Sequence, residues 1–426
     1  MHGIIEGIRW QFYPVYFVII IQFISALSGW LKERKRRKRV GAIISALGIL
    51  ASTLLSFAFP VYKMPTPSGE NQIGTVSFNL IDPEREAIYS GDLSKNRKIK
   101  MQVWYPAQKI DGYEQVPWLE DGRKQAEGVS KMMGFPDFVL SHTALVQSNS
   151  YRNAPLSDVK DHYPVVILSH GWTGFRNIHT DVAELLASNG YVVIGIDHTY
   201  GSAVTVFNDK EIAYVKEEAL PDREETPDFL NYAQTLVTTF AGDISLSLNE
   251  LEGMNKGERD ATFTDRLDLE NIGIVGHSTG GGAAVSTAIH DKRIKAIVGM
   301  DAWVEPVEKG KLETGLQIPS LFLRSNEWEH GLNNDHLFFL LNNSERPVDL
   351  YQINETGHQD FSMIYMYSPL SKYFNITGKL DGREGAKIQH DFILNFFDSS
   401  LKNQVNKTNE EVSNQYEHVQ LIYSDE

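Results

Sequence analysis

Ser278 stands in Gly276-His277-Ser278-Thr279-Gly280, directly after the apolar run Ile272–Val275 and ahead of small and apolar residues at helical spacing up to Ile289. That order reads as a buried strand, a sharp turn and a helix, with a serine at the apex. Such a turn holds its serine in a strained backbone conformation. It also brings strand and helix so close that a Cβ at position 276 or 280 would collide with a neighbour. The serine hydroxyl is thereby exposed, and the amide of Thr279 opens a helix where a developing oxyanion can be held. In this setting Ser278 reads as a nucleophile rather than as part of an ordinary glycine-rich turn.

A serine hydroxyl attacks only when a base takes its proton and a third group orients that base. On a strand–elbow–helix scaffold the partners follow in the order acid, then histidine. The histidines beyond the elbow are His290, His330, His336, His358, His390 and His418. His290 falls near the end of the elbow helix, His390 in a C-terminal helix and His418 in the tail. His358 alone follows a strand, Pro347–Ile353, in a loop ahead of the helix-like run Phe361–Tyr367, and it is the expected base. Two carboxylates suit the acid. Asp301 ends the strand after the elbow helix, and Glu327 lies one strand later; spacing leaves both open.

A second oxyanion donor is expected from the loop Ser169-His170-Gly171-Trp172, with Gly171 letting the backbone approach and the Trp172 amide turned to the site. His170 is expected to make a structural hydrogen bond inside that loop. Trp172, Phe175 and Trp303 suit either an apolar acyl pocket or the core. Glu327, Glu329, His330, Asp335 and His336 crowd into ten residues, but no H-E-x-x-H spacing is present, and neither metal nor cofactor is expected.

A sheet must hold these residues. Strand-like segments run over Gly74–Leu80, Lys98–Tyr105, Tyr163–His170, Tyr191–Ile196, Arg293–Asp301, Ile318–Arg324 and Pro347–Ile353. Helical spacing separates several of them, at Ile178–Ser188 and in the elbow helix, and Ala386–Phe397 reads as the last helix. This is the pattern of an α/β chain with a mainly parallel sheet, whose ligands sit at the carboxyl ends of the strands. Residues 205–265 are charged, with a loop at Pro221–Pro227 and a helix over about 228–252; a lid and a core position are both open. Residues 106–160 are mixed in pattern, and residues 402–426 read as a polar, frayed tail.

Ahead of this domain lie two apolar stretches, about 10–30 and 40–62, each near the roughly 20 residues that cross a bilayer. Between them runs Lys32-Glu33-Arg34-Lys35-Arg36-Arg37-Lys38-Arg39. A signal peptide carries its charge before one apolar region, not between two. The reading is a transmembrane hairpin over residues 1–63, a linker at 64–73 and a catalytic domain over 74–401. A basic connection stays in the cytoplasm, which places both termini outside. Gly41, Ala42, Ser45, Ala46, Gly48, Ala51 and Ser52 make the second stretch rich in small residues, as close helix packing requires. Residues 1–63 hold nine Lys/Arg against two Asp/Glu, so the rest is more acidic than the net charge of −15 suggests, which argues against a nucleic-acid partner. With no cysteine, disulfides, a thiol nucleophile and thiolate metal sites are excluded.

Four blocks, His170-Gly171-x-x-x-Phe175-Arg176, Gly276-His277-Ser278-x-Gly280-Gly281, Met300-Asp301-Ala302-Trp303 and His358-Gln359-x-Phe361, together resemble the plasma-type platelet-activating factor acetylhydrolases. The resemblance spans roughly residues 75–400. It implies the α/β-hydrolase fold and a calcium-independent serine esterase acting on short-chain acyl phospholipids. By the same carry-over Asp301 is the acid, Ser278 the nucleophile, His358 the base, and the amides of Trp172 and Thr279 hold the oxyanion. The chain departs from the pattern at Thr279, where members often carry Phe, and in its hairpin, which is foreign to the secreted lipoprotein-associated form. The reading is a bacterial, membrane-anchored member with its catalytic domain facing outward. The alternatives are a cutinase- or lipase-like hydrolase of other esters and a non-catalytic membrane-tethered binding protein on a hydrolase scaffold.

Overall fold

Val, Ile and Leu runs without alternation are the mark of strands buried on both faces, and here they build the middle of one large sheet. The structure, a computed structural model, describes residues 8–28 and 35–425. Trp30 and Lys32–Arg34, at the turn of the expected hairpin, lie outside the described residues.

Along the chain the strands are β1 (Gln72–Glu86), β2 (Asn96–Ala107), β3 (Gln115–Pro117), β4 (Gln147–Arg152), β5 (Tyr163–Ser169), β6 (Val192–Asp197), β7 (Val204–Val206) and β8 (Ile212–Tyr214). They continue as β9 (Leu267–His277), β10 (Ile294–Met300), β11 (Ser320–Ser325), β12 (Val348–Ile353) and β13 (Val419–Ser424). Eleven of them form one sheet in the order β13-β12-β11-β10-β9-β5-β6-β2-β1-β4-β3, and β7 pairs only with β8. The run from β12 to β6 through β9 and β5 is parallel, while β13 and β2 add antiparallel neighbours at its two ends. This is an α/β fold with a mostly parallel central sheet. The strand order reverses at β5 and β9, since the chain goes on from β5 to β6 on one side and from β9 to β10 on the other; this is where an α/β sheet opens its crevice.

Helices cover both faces. On one side Phe229–Asn255 and the elbow helix Thr279–His290 pack through Leu236, Phe240, Ile244, Leu248 and Val285. On the other, Thr180–Ser188 and Gly382–Lys402 pack through Val182, Leu186, Phe392 and Phe397. The helix within residues 205–265 thus belongs to the core. A third apolar cluster joins Met64, Trp118, Val129, Leu140, Phe175, Met363 and Tyr367 at the end of the sheet where the site lies.

The frayed tail expected over residues 402–426 is instead part of the fold. A short helix, Asn409–Ser413, turns the chain back, and β13 pairs antiparallel with β12 at the sheet edge. Its mixed pattern of half-buried and exposed residues is that of an edge strand, and its apolar residues Val419, Leu421, Ile422 and Tyr423 close an otherwise polar segment.

The N-terminal helices Tyr13–Leu27 and Lys35–Ala58 pack on each other, and the helical spans Trp10–Leu27 and Lys35–Ala58 are long and apolar enough to cross a membrane. The small residues of the second serve that contact. A Cβ on Gly48 would lie 2.6 Å from Val18 Cγ2, and the Val15 amide donates to Ser52 Oγ at 3.3 Å.

Candidate active site

The end of β9 and the start of the next helix leave Ser278 almost no conformational choice. Its φ is 53° and its ψ −120°, a region that L residues rarely enter. The turn is pinned on both sides: the Ser278 amide donates to Met300 O at 3.1 Å, and the Trp303 amide donates to Ser278 O at 2.8 Å. Strand and helix are in contact here. A Cβ on Gly280 would sit 2.1 Å from Ser169 O, and one on Gly276 2.4 Å from Gly280 O. Strain of this kind persists only where surrounding contacts over-determine it.

His358 begins the single 3-10 turn His358–Phe361 after β12, and its Nδ1 donates to Asp301 Oδ2 at 2.9 Å. Asp301 is buried at the end of β10, with φ 44°, and its carboxylate is held from a second side. Ser325 donates to it twice, from its amide to Oδ1 at 2.8 Å and from its hydroxyl to Oδ2 at 2.7 Å. Glu327 meets the same histidine elsewhere: its Oε2 accepts from the His358 backbone amide at 2.7 Å. The two carboxylates that spacing leaves equal thus occupy different positions, one on the imidazole and one on the main chain.

Two ring contacts that the sequence reading missed complete the setting of His358. Trp328 stacks on it, and the His277 ring lies 4.7 Å away with Nε2 donating to His358 O at 3.2 Å. Trp328 adjoins Glu327, but nothing local in sequence distinguishes a stacking tryptophan from a surface one. Burial, together with the neighbouring His358 and His179, pushes the His277 pKa well below the ordinary histidine value, so it stands neutral beside His358.

Ser278 and His358 line one cavity together with Gly171, Trp172, Phe175, Ile178, Met132, Val129, Ile364 and Tyr367. Its free volume of about 60 Å³ is small, room for a few water-sized groups at roughly 10–15 Å³ each. Of the three expected pocket aromatics, Trp172 and Phe175 are there. Trp303 is not: it lies beside Phe229, ring centroids 6.1 Å apart, and its indole N–H reaches Glu305. The backbone explains this, because the Trp303 amide is bonded to the elbow carbonyl and its side chain leaves on the helix side. Tyr367 is a further wall residue, buried, with no partner for its hydroxyl among the described residues.

The loop after β5 comes against the elbow so closely that a Cβ on Gly171 would lie 2.8 Å from Ser278 Cβ. His170 controls the next peptide. Its Nδ1 donates to Gly171 O at 2.7 Å, while its Nε2 accepts from Ser202 Oγ at 2.8 Å. Gly171 C=O and Trp172 N–H belong to one planar trans peptide, so fixing the carbonyl fixes the amide on the opposite edge. Burial, and then the neighbouring His198, depress the His170 pKa well below the usual range and keep this donor–acceptor pattern. Behind it, His198 bridges Ser169 Oγ at 2.9 Å and Asp243 Oδ2 at 3.0 Å, all three fully buried.

Of the acidic and histidine residues clustered after β11, Glu327 turns to the His358 amide, and His336 Nδ1 donates to Leu332 O in its own helix at 2.7 Å. Among the described residues no group of three or more His, Asp and Glu side chains is arranged to hold a metal ion.

Comparison with known proteins bears on this geometry. Residues 57–419 match the model of the family described as platelet-activating factor acetylhydrolase, isoform II. The chain belongs to that family. Among its relatives, the platelet-activating factor acetylhydrolase of Gallus gallus is 22% identical, over 80% of this chain and 84% of the relative. A probable 1-alkyl-2-acetylglycerophosphocholine esterase of Arthroderma benhamiae is 25% identical, over 69% of this chain and 72% of the relative. The ferulic acid esterase of Streptomyces cinnamoneus shares the fold, with a TM-score of 0.68 at 20% identity over 85% of this chain and all of that one. As a member of the acetylhydrolase family the chain is a carboxylic ester hydrolase.

Proposed function

We propose that this acetylhydrolase-family member is a membrane-anchored serine esterase that removes short acyl groups from phospholipids. The observation that carries the reading is the His358–Asp301 hydrogen bond of 2.9 Å in the wall of the cavity that also holds Ser278 on its strained turn. With Nδ1–H committed to Asp301, the lone pair of Nε2 is left to take the Ser278 proton. Ser278 Oγ then attacks the ester carbonyl, and the amides of Trp172 and Thr279 receive the oxyanion. Collapse expels the alcohol, which takes the proton from His358, and leaves an acyl-enzyme. Water attacks that ester by the same route in reverse, releasing the carboxylic acid and Ser278. Asp301 stays ionised and stabilises the imidazolium formed in each half. No step calls for a metal or cofactor.

The small free volume beside Ser278 supports a short acyl chain. The helices Tyr13–Leu27 and Lys35–Ala58 serve as the anchor. Their Lys35–Arg39 end is retained in the cytoplasm, which leaves the catalytic domain outside.

Hydrolysis of p-nitrophenyl esters from acetyl to palmitoyl, and then of 2-acetyl and long-chain phospholipids, by the full chain and by Ser278→Ala tests this. Activity confined to short chains and abolished by the substitution is expected. Preference for long chains would instead indicate a lipase- or cutinase-like enzyme, and folded protein inactive on every ester would indicate a binding protein.

A further inference from the structure

The proposed mechanism leaves one histidine of the cavity without a task. His277 directly precedes the nucleophile, lines the cavity and is 5% exposed. Its Nε2 meets His358 O at 3.2 Å, and a carbonyl oxygen can only accept, so the ring proton is on Nε2. Burial, with His358 and His179 close by, keeps the imidazole neutral. Nδ1 therefore carries a lone pair. Among the described residues nothing donates to it.

That lone pair lies beside the reacting groups. A Cβ built on Gly171 would lie 3.3 Å from His277 Nδ1 and 3.3 Å from Ser278 Oγ, so both atoms border the same glycine of the cavity wall. A buried acceptor is costly until a donor meets it. The two half-reactions differ in what they bring. The ester that acylates Ser278 has oxygens that only accept. The water that attacks the acyl-enzyme has two O–H groups, and His358 Nε2 takes one proton. The other hydrogen needs an acceptor, and the wall residues Val129, Phe175, Ile178 and Ile364 offer none in their side chains.

We propose that His277 Nδ1 accepts the second hydrogen of the hydrolytic water, which makes His277 a catalytic residue of deacylation and a selector of water over alcohols. This rests on reading Ser278 as the nucleophile and His358 as the base. One O–H bond of water breaks to His358 Nε2 while the water oxygen bonds to the acyl carbon. The hydroxyl that remains on the tetrahedral intermediate still donates to His277 Nδ1. Collapse breaks the bond from that carbon to Ser278 Oγ, which takes the proton back from His358, and the acid leaves. An alcohol has a single O–H. Once that proton goes to His358, nothing is left to donate to Nδ1, so the acyl group passes to water in preference.

Turnover of p-nitrophenyl acetate by the full chain in the presence of methanol tests this. Acetate and methyl acetate arise from one acyl-enzyme, so their ratio does not depend on how fast that intermediate forms. At a fixed methanol concentration His277→Leu should raise the ratio of methyl acetate to acetate about tenfold, as the loss of one neutral hydrogen bond would. His277→Asn keeps an acceptor oxygen near the place of Nδ1 and should return the ratio close to that of the unsubstituted chain. His277→Gln keeps an amide N–H for His358 O without that acceptor, and should behave as His277→Leu does. An unchanged ratio in His277→Leu would overturn the assignment. Restoration by Gln in place of Asn would overturn it too, and would leave His277 as a tie to the His358 loop. An unsubstituted chain that releases no p-nitrophenol would remove the esterase reading itself, and the assignment with it.

Discussion

Trp328 lies flat against His358, with ring centroids 4.2 Å apart and planes 7° from parallel. The stack closes the face of the imidazole while Asp301 holds its edge, so ring position is set from two directions. Trp328→Ala removes one of them, and kcat should fall about tenfold with KM little changed, whereas Trp328→Phe should keep most of the rate. Steady-state kinetics on p-nitrophenyl acetate decides this; a rise in KM at constant kcat would assign Trp328 to substrate binding instead.

The two carboxylates near His358 should separate cleanly. Asp301→Asn cannot accept the Nδ1 proton as the carboxylate does, and a loss of about 10⁴ in kcat is expected. Glu327→Gln keeps a carbonyl for the His358 amide and should cost no more than about tenfold. Comparable losses in both variants would reverse the assignment of the acid.

In the proposed mechanism His170 orients an oxyanion donor without touching substrate. His170→Leu frees the Gly171–Trp172 peptide and should cost about 3 kcal/mol of the barrier, near 100-fold in kcat, with KM nearly constant. Asn can place an amide N–H where Nδ1 now donates, and His170→Asn should recover most of that loss. If both variants lose activity equally while their melting temperatures fall, His170 supports the fold alone.

Acid stability has a named contributor. Burial pulls the Glu120 pKa upward, but the charges of Arg176 and Lys100 outweigh it and hold it at about 2, against an ordinary value of 4.5. A carboxylate depressed by folding stabilises fully above its unfolded pKa, and that stability is lost as pH falls through the folded value. Glu120→Gln should therefore lower the melting temperature at pH 7 and flatten its decline between about pH 4.5 and 2. A parallel decline in both proteins would remove Glu120 as the cause.

Gly171 tests how closely the loop and the elbow must meet. A methyl group there would lie 2.8 Å from Ser278 Cβ and 3.3 Å from its Oγ. Gly171→Ala should reduce kcat by more than about 100-fold while circular dichroism stays unchanged, because the loop moves away and takes the Trp172 amide with it.

The features legible in the sequence are those written in local pattern. The strand–glycine–serine–glycine–helix order announced the elbow, since backbone strain and close approach leave few residues admissible at 276 and 280. Apolar runs marked β5, β6 and the middles of β9, β10 and β11, because strands buried on both faces have no polar side to show. His358 stood out as the histidine in a loop after a strand. The choice between Asp301 and Glu327 was not local: both end or follow strands, and only the packing of β10 against β11 brings Asp301 to the ring and turns Glu327 to the main chain. The same holds for the aromatics. Trp303 and Trp328 are both tryptophans beside acidic residues, and which one meets His358 depends on which way the chain leaves the sheet. β13 was missed for a different reason: Val419, Leu421, Ile422 and Tyr423 suit a strand, but they follow a long polar segment, and only pairing with β12 shows that they join the sheet. Sequence by itself determined the elements and the chemistry available at their ends; the long-range packing of those ends decided which side chains meet, because contacts between residues far apart in the chain leave no periodic trace in it.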